Sequence, residues 1–184
     1  MTSGPLGRPV AGTVLFFLAA PANVAGLVPW LISRWRPGPP LLEPLVDRAA
    51  GAVLLGCGLA ALVDCFARFA LEGRGTPAPV APTERLVASG LYRHVRNPMY
   101  VAVLAVVLGQ ALWLGNRGLL AYAALLAAAF HAFVVLYEEP ALRRRHGSDY
   151  VLYASVVRRW WPRLEPWPGP ERPLTSAGRP RWPT

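Results

Sequence analysis

Gly90-Leu91-Tyr92-Arg93-His94-Val95-Arg96-Asn97-Pro98-Met99-Tyr100 opens a stretch that closes with Tyr137-Glu138-Glu139-Pro140, and its reading decides the fold. Between these polar ends lie two long apolar segments, broken only at Gly115-Asn116-Arg117. Segments of near-equal length joined by so short a break read as a hairpin of antiparallel helices over 98–137. A hairpin returns the chain to the end it left. The basic cluster before Pro98 and the acidic pair after Tyr137 are therefore expected to meet at one membrane face and form one candidate site.

Composition sets the class. The chain has 184 residues, of which 54% are hydrophobic and 16% charged, with a mean hydropathy of +0.33. That is one domain by length and too apolar for an ordinary soluble one. The net charge of +9 comes from arginine alone, for the chain has no lysine. These charges stand at the ends of apolar runs, which places them in the lipid headgroup region and argues against nucleic acid as a partner. Cys57 and Cys65 are eight residues apart, about 12 Å along a helix and too far for a disulfide. Neither has a Cys-x-x-Cys or histidine partner pattern, so no metal site is expected.

Four membrane spans are expected, at about 10–33, 48–70, 98–114 and 118–137. The first is uncharged and too long for a signal peptide, and Pro21 and Pro29 are expected to kink it or end it early. The second carries Gly51, Gly56 and Gly58, a small-residue face for close helix packing. Asp64 near its end stands four residues before Arg68, and an ion pair outweighs a catalytic role. His131 reads as a hydrogen-bonded bundle residue. Four spans put both termini on one side, and Arg8, Arg74, Arg85, Arg93, Arg96 and Arg143 to Arg145 mark that side as cytoplasmic, in a cell inner (plasma) membrane. Gly147 interrupts the helix after Pro140, and Ser148 caps a last helix expected over 149–160. Arg158, Arg159, Trp160, Trp161 and Arg163 form an interfacial band. The expectation is an all-α integral membrane protein: one domain at 1–164, about four transmembrane helices, C-terminal interfacial helices, and a disordered tail at 165–184.

Phosphate loops, Ser-His-Asp patterns and metal-ligand spacings are absent. What the hairpin ends offer is cations and amides from Arg93, His94, Arg96 and Asn97, carboxylates from Glu138 and Glu139, and rings from Tyr92, Tyr100, Tyr137, Tyr150 and Tyr153. That mixture suits a zwitterionic ligand, with arginine forks for its carboxylate. On composition alone, an interfacial ion-pair cluster that only holds helices together is the favoured reading.

The run 85–100, the Glu138-Glu139 pair, His146-Gly147-x-x-Tyr150-x-x-Tyr153 and the ending Arg159-Trp160-Trp161-Pro162-Arg163, in that order, resemble the isoprenylcysteine carboxyl methyltransferase and phospholipid methyltransferase superfamily over roughly 83–163. The resemblance implies an integral membrane enzyme using S-adenosylmethionine on a lipophilic small-molecule or lipid acceptor, isoprenylcysteine carboxyl methyltransferase-like. Alternatives are a phospholipid amine N-methyltransferase, a small-molecule O- or S-methyltransferase, and, in another class, a non-catalytic membrane scaffold. It implies cofactor contacts from Tyr92, Arg93, His94, Arg96, Asn97, Pro98, Tyr100, Glu138, Glu139, Tyr150 and Tyr153, and catalytic roles for Arg159 and Glu139. Two positions depart from the superfamily pattern. Asn97 stands where histidine is commonest and lacks its cation. Val156-Val157-Arg158 stands where many members read Arg-Val-Pro, which leaves Arg158 or Arg159 as the active-site arginine; Arg159 aligns with the basic residue before the final Trp and Pro.

Overall fold

The computed structural model of the protein describes residues 21–71, 86 and 88–169, and among these every regular element is helical. A π-helical turn, Asn23–Leu27, leads into α1, Val28–Ser33. Then come α2, Pro44–Leu71, a 3-10 turn at Gly90–Arg93, α3, Pro98–Leu114, and α4, Arg117–Phe133. A second π turn, Val134–Glu138, passes into α5, Glu139–Val156.

Among the described residues two helical runs are long and apolar enough to cross a membrane, Pro44–Arg68 and Arg117–Val156. The first overlaps the expected span 48–70 as far as residue 68, and the second contains the expected span 118–137. The expected span 98–114 is an apolar helix of 17 residues, about 25 Å long and short of the roughly 30 Å hydrocarbon thickness. The expected span 10–33 lies partly outside the described residues, as do most of residues 72–88 and the tail beyond residue 169. A span of about 20 residues counted from Arg117 would end before Glu138, Glu139 and the Arg143 to Arg145 run.

The hairpin turn is built by local chemistry. Gly115 takes a left-handed conformation (φ 61°) as the cap of α3, and the Asn116 side chain accepts from the Leu119 amide at 3.1 Å to start α4. The largest interface is between α2 and α3. Gly51 and Gly109 face each other there so closely that a Cβ on Gly109 would stand 2.9 Å from the Gly51 carbonyl oxygen and the Leu55 amide nitrogen. Leu62, Phe66, Ala102, Val103, Val106 and Val107 continue this core, and Ala123 and Leu126 join it from α4.

Pro29, expected to kink the first helix or end it early, does not end it at once. The backbone runs through it to Ser33, with the π turn immediately before. Proline has no N–H to offer the Val24 and Ala25 carbonyls, and side chains of the hairpin bond both instead. The Tyr122 hydroxyl donates to Val24 at 2.9 Å and the Gln110 amide to Ala25 at 2.7 Å.

Two expectations at the C-terminal end are corrected. Helix α5 ends at Val156, four residues before the expected 160, because Val157 turns extended (φ −93°, ψ 122°) and its carbonyl bonds another element. Gly147 (φ 51°, ψ −126°) bends α5 internally where the interruption was expected. The second correction concerns the tail expected to be disordered from 165. Its first residues are ordered against the body, and Trp167 is 6% exposed in a cluster with Tyr150, Tyr153 and Val157.

The α2–α3 contact makes a clean test. Gly109→Ala should destabilise the detergent-solubilised protein by about 1 to 3 kcal/mol through overpacking, read as a lower melting temperature. Gly56→Ala is the control, because nothing lies within 4 Å of a Cβ there, and it should leave the melting temperature unchanged or raised.

Candidate functional site

Glu139 is the centre of the arrangement at the open end of the hairpin. Its side chain is 8% exposed and takes two arginines from opposite directions. Arg96, just before α3, reaches Oε1 through Nη1 at 3.0 Å. Arg159, past the end of α5, forms a two-point fork, Nε to Oε1 at 2.6 Å and Nη2 to Oε2 at 3.0 Å. Glu138 takes a different partner, accepting from the Tyr100 hydroxyl at 2.9 Å. The π turn ending at Glu138 sets the pair here, at a helix irregularity of the kind often found at functional sites. Tyr100 itself stacks on Phe130 of α4, with ring centroids 4.6 Å apart.

Environment separates the two carboxyls. Desolvation works against the Glu139 anion, but the Arg159 hydrogen bond and the charges of Arg96, Arg159 and Arg143 hold its pKa below the usual carboxylate range. Burial raises Glu138, only partly opposed by the Tyr100 hydrogen bond, and the neighbouring Glu139 charge raises it further. The Arg159 guanidinium is pushed up, chiefly by its hydrogen bond to Glu139. One carboxylate stays ionised beside a second that takes a proton readily, the division used in acid–base sites.

The other residues singled out in the sequence are distributed unevenly. Arg93 donates to the Trp167 carbonyl at 2.6 Å. His94 Nδ1 lies 2.9 Å from the Arg163 carbonyl, and since a carbonyl only accepts, Nδ1 carries the proton. Asn97 is the N-cap residue of α3, but its side chain makes no cap bond there; its amide donates to the Arg159 carbonyl at 3.1 Å. Tyr153 donates to the Tyr92 carbonyl at 2.7 Å. Tyr92 and Tyr150 are buried, at 7% and 2% exposure, and Pro98 is the first residue of α3. Arg158 is exposed, and its carbonyl accepts from the Arg96 amide at 2.9 Å. The fork to Glu139 therefore belongs to Arg159. Asp64 and Arg68 pair at 3.0 Å on α2, apart from the Glu139 cluster.

Beside the charged cluster a groove of about 440 Å³ runs between the helices, lined by Leu54, Val101, Leu104, Leu108, His131 and Trp160 among others. His131 is exposed at its mouth and accepts from the Trp160 indole at 3.2 Å. Trp160 is the next residue to Arg159, so the polar cluster and the apolar groove adjoin. Sequence reasoning missed this groove and the part played by Trp167. For Trp167 a signal existed, a large aromatic inside a proline-rich segment that is otherwise poor in apolar residues.

The family described as phospholipid methyltransferase matches residues 46–149, more than half of the chain. No curated protein and no solved structure matches.

The electrostatics of Glu139 carry a pH dependence. A carboxyl whose folded pKa is depressed contributes stability that is fully present above its unfolded pKa and is lost as pH falls through the folded value. Melting temperatures of the wild type and Glu139→Gln, compared from pH 7 down to pH 3, should therefore show the widest gap at pH 7 and a closing gap below the ordinary carboxylate range. The comparison is made in a Glu138→Gln background, because the Glu139 charge is one cause of the raised Glu138 pKa and the opposite-signed contribution of Glu138 would not otherwise cancel.

Proposed function

The chain belongs to the phospholipid methyltransferase family, and from that premise we propose that it is an integral membrane enzyme transferring a methyl group from S-adenosylmethionine to a heteroatom of a lipophilic acceptor. The observation that carries this reading is the junction of two unlike surfaces: the buried Arg96–Glu139–Arg159 cluster and the apolar groove that begins at Trp160. A polar cofactor fits the first and a hydrocarbon chain the second.

The donor set suits the cofactor. Its ammonium and ribose hydroxyls match the Glu138 and Glu139 carboxylates, its carboxylate matches the Arg96 guanidinium, and its cationic sulfur is compatible with the Tyr100 ring. When bound, it supplies an electrophilic methyl carbon. The residues of the chain then have positioning tasks. Arg159 holds a carboxylate or phosphate of the acceptor, Glu139 fixes both Arg159 and the cofactor side, and the apolar groove walls keep water from the reacting atoms. Access for the acceptor is sideways from the bilayer, from the cytosolic leaflet.

Two acceptor chemistries are favoured by specific observations. The resemblance of the motif order to isoprenylcysteine carboxyl methyltransferases supports a carboxylate held by Arg159. The family description, together with the raised basicity of Glu138, supports an amino-headgroup lipid, since a nitrogen nucleophile must first lose a proton and Glu138 can take it.

Calorimetric titration of the detergent-solubilised protein with S-adenosylmethionine should show binding, and no binding at millimolar cofactor would favour a non-catalytic scaffold. Glu139→Gln should weaken that binding by about 1 to 3 kcal/mol, the scale of a hydrogen bond to a charged group. Acceptor class is read by supplying isotopically labelled cofactor with membrane lipid extract, a farnesylcysteine analogue or a water-soluble amine. Label should enter a lipid-extractable product. Label only in the water-soluble amine would refute lateral access, and label only in the farnesylcysteine ester would assign carboxyl methylation.

A further inference from the structure

Residues 157–167 lie against the 93–97 turn, and hydrogen bonds from Arg93, His94, Arg96 and Asn97 join the two. The Arg96 side chain donates to the Val157 carbonyl at 2.7 Å, and its amide to Arg158 at 2.9 Å. Asn97 donates to Arg159, and His94 exchanges bonds with Arg163, side chain to carbonyl and carbonyl to amide, each at 2.9 Å. Arg93 and Trp167 do the same, at 2.6 and 2.9 Å. Pro162, Pro166 and Pro168 keep this segment from continuing α5, and they leave its carbonyls for side chains to read. Its far end is pinned by the Trp167 ring, 5.2 Å from Tyr153, whose hydroxyl bonds back to Tyr92. The family match ends at residue 149, so the partners of these motif residues come from beyond it.

We propose that residues 157–167 form a latch, and that Arg93, His94 and Trp167 are positioning residues which act through it to hold Arg159 on Glu139. The side chains of Arg93, His94 and Asn97 are directed at latch carbonyls, which assigns them a task other than the direct cofactor contact implied by their motif. Arg159 sits between the two anchored ends of the latch, so its guanidinium reaches Glu139 only while the latch is closed. The consequence for the reaction rests on the proposed role of Arg159 toward the acceptor. Opening the latch should raise the acceptor KM and leave cofactor affinity nearly unchanged, because Arg96 still compensates Glu139.

The test uses the full chain in detergent or nanodiscs, with His94→Ala, Trp167→Ala and the conservative Trp167→Phe. Hydrogen exchange read by mass spectrometry reports the latch, and tryptic cleavage after Arg159 reports whether that side chain has left Glu139; neither needs an active enzyme. Expected for both alanine variants is about tenfold faster exchange over 157–167, with α2 and α3 unchanged and with faster cleavage after Arg159. In transfer assays, acceptor KM should rise about tenfold and the cofactor Kd move less than about twofold, and Trp167→Phe should restore each readout. Loss of cofactor affinity in His94→Ala with unchanged exchange would make His94 a direct ligand and overturn the latch. So would faster exchange with Arg159 still protected and acceptor KM unchanged, or exchange rising equally through α2 and α3. A wild type that transfers no methyl group would defeat the proposed function, while exchange and cleavage would still decide the latch.

Discussion

A carboxylate taken out of water must be compensated, and at Glu139 that requirement joins three distant parts of the chain. The idealised cost of burying an unpaired charge is large enough that such groups either neutralise or recruit counter-charges. Glu139 does the latter, taking Arg96 from the start of the hairpin and Arg159 from beyond its end. Helix α5 carries the carboxylate, the 93–97 turn one cation and the C-terminal segment the other. Removing either cation loosens the attachment of an element as well as a contact.

Among the apolar helices a different constraint governs. An apolar environment offers no hydrogen bonds, so each backbone group freed by an irregularity must find a partner within the protein. At Pro29 and the π turn before it, Gln110 and Tyr122 bond the Ala25 and Val24 carbonyls across the helix interface. The same bonds tie the first helix to the hairpin, where apolar contact alone gives little advantage over lipid. The Gly51–Gly109 approach does the equivalent for α2 and α3 by letting the backbones nearly touch. Polar bonds and close packing thus hold the bundle whose end carries the site.

The parts of this architecture that were readable in the sequence are those encoded by side-chain type and period. The hairpin with its break at Gly115 to Arg117, the Gly147 bend, the Asp64–Arg68 pair and the meeting of Arg96 with Glu139 all follow from where apolar runs stop and charges begin. The unreadable parts depend on backbone groups that every residue carries. Nothing in the composition of 157–167 announces that its carbonyls will be bonded, and the stretch from 165 onward, rich in proline and poor in apolar residues, reads as disorder. The early end of α5 was hidden for the same reason, since the Tyr150, Tyr153, Val157 spacing fits a helix until the carbonyl of Val157 is needed by Arg96. The π turns, which alter register without a distinctive sequence, were likewise invisible.

Two cations on one carboxylate also bear on how such a cluster can be both structural and reactive. The group of Arg96, Arg159 and Glu139 carries one excess positive charge. A ligand carboxylate or phosphate drawn to that charge can engage Arg159 without abandoning Glu139, because Arg96 remains on it. A simple one-to-one pair lacks this property, since its ligand would have to leave one buried charge uncompensated, which is strongly unfavourable. The less exposed partner is Arg96, at 13% against 31% for Arg159. In the proposed reaction that difference suits Arg96 to the constant role and Arg159, next in the chain to the groove residue Trp160, to the exchangeable one.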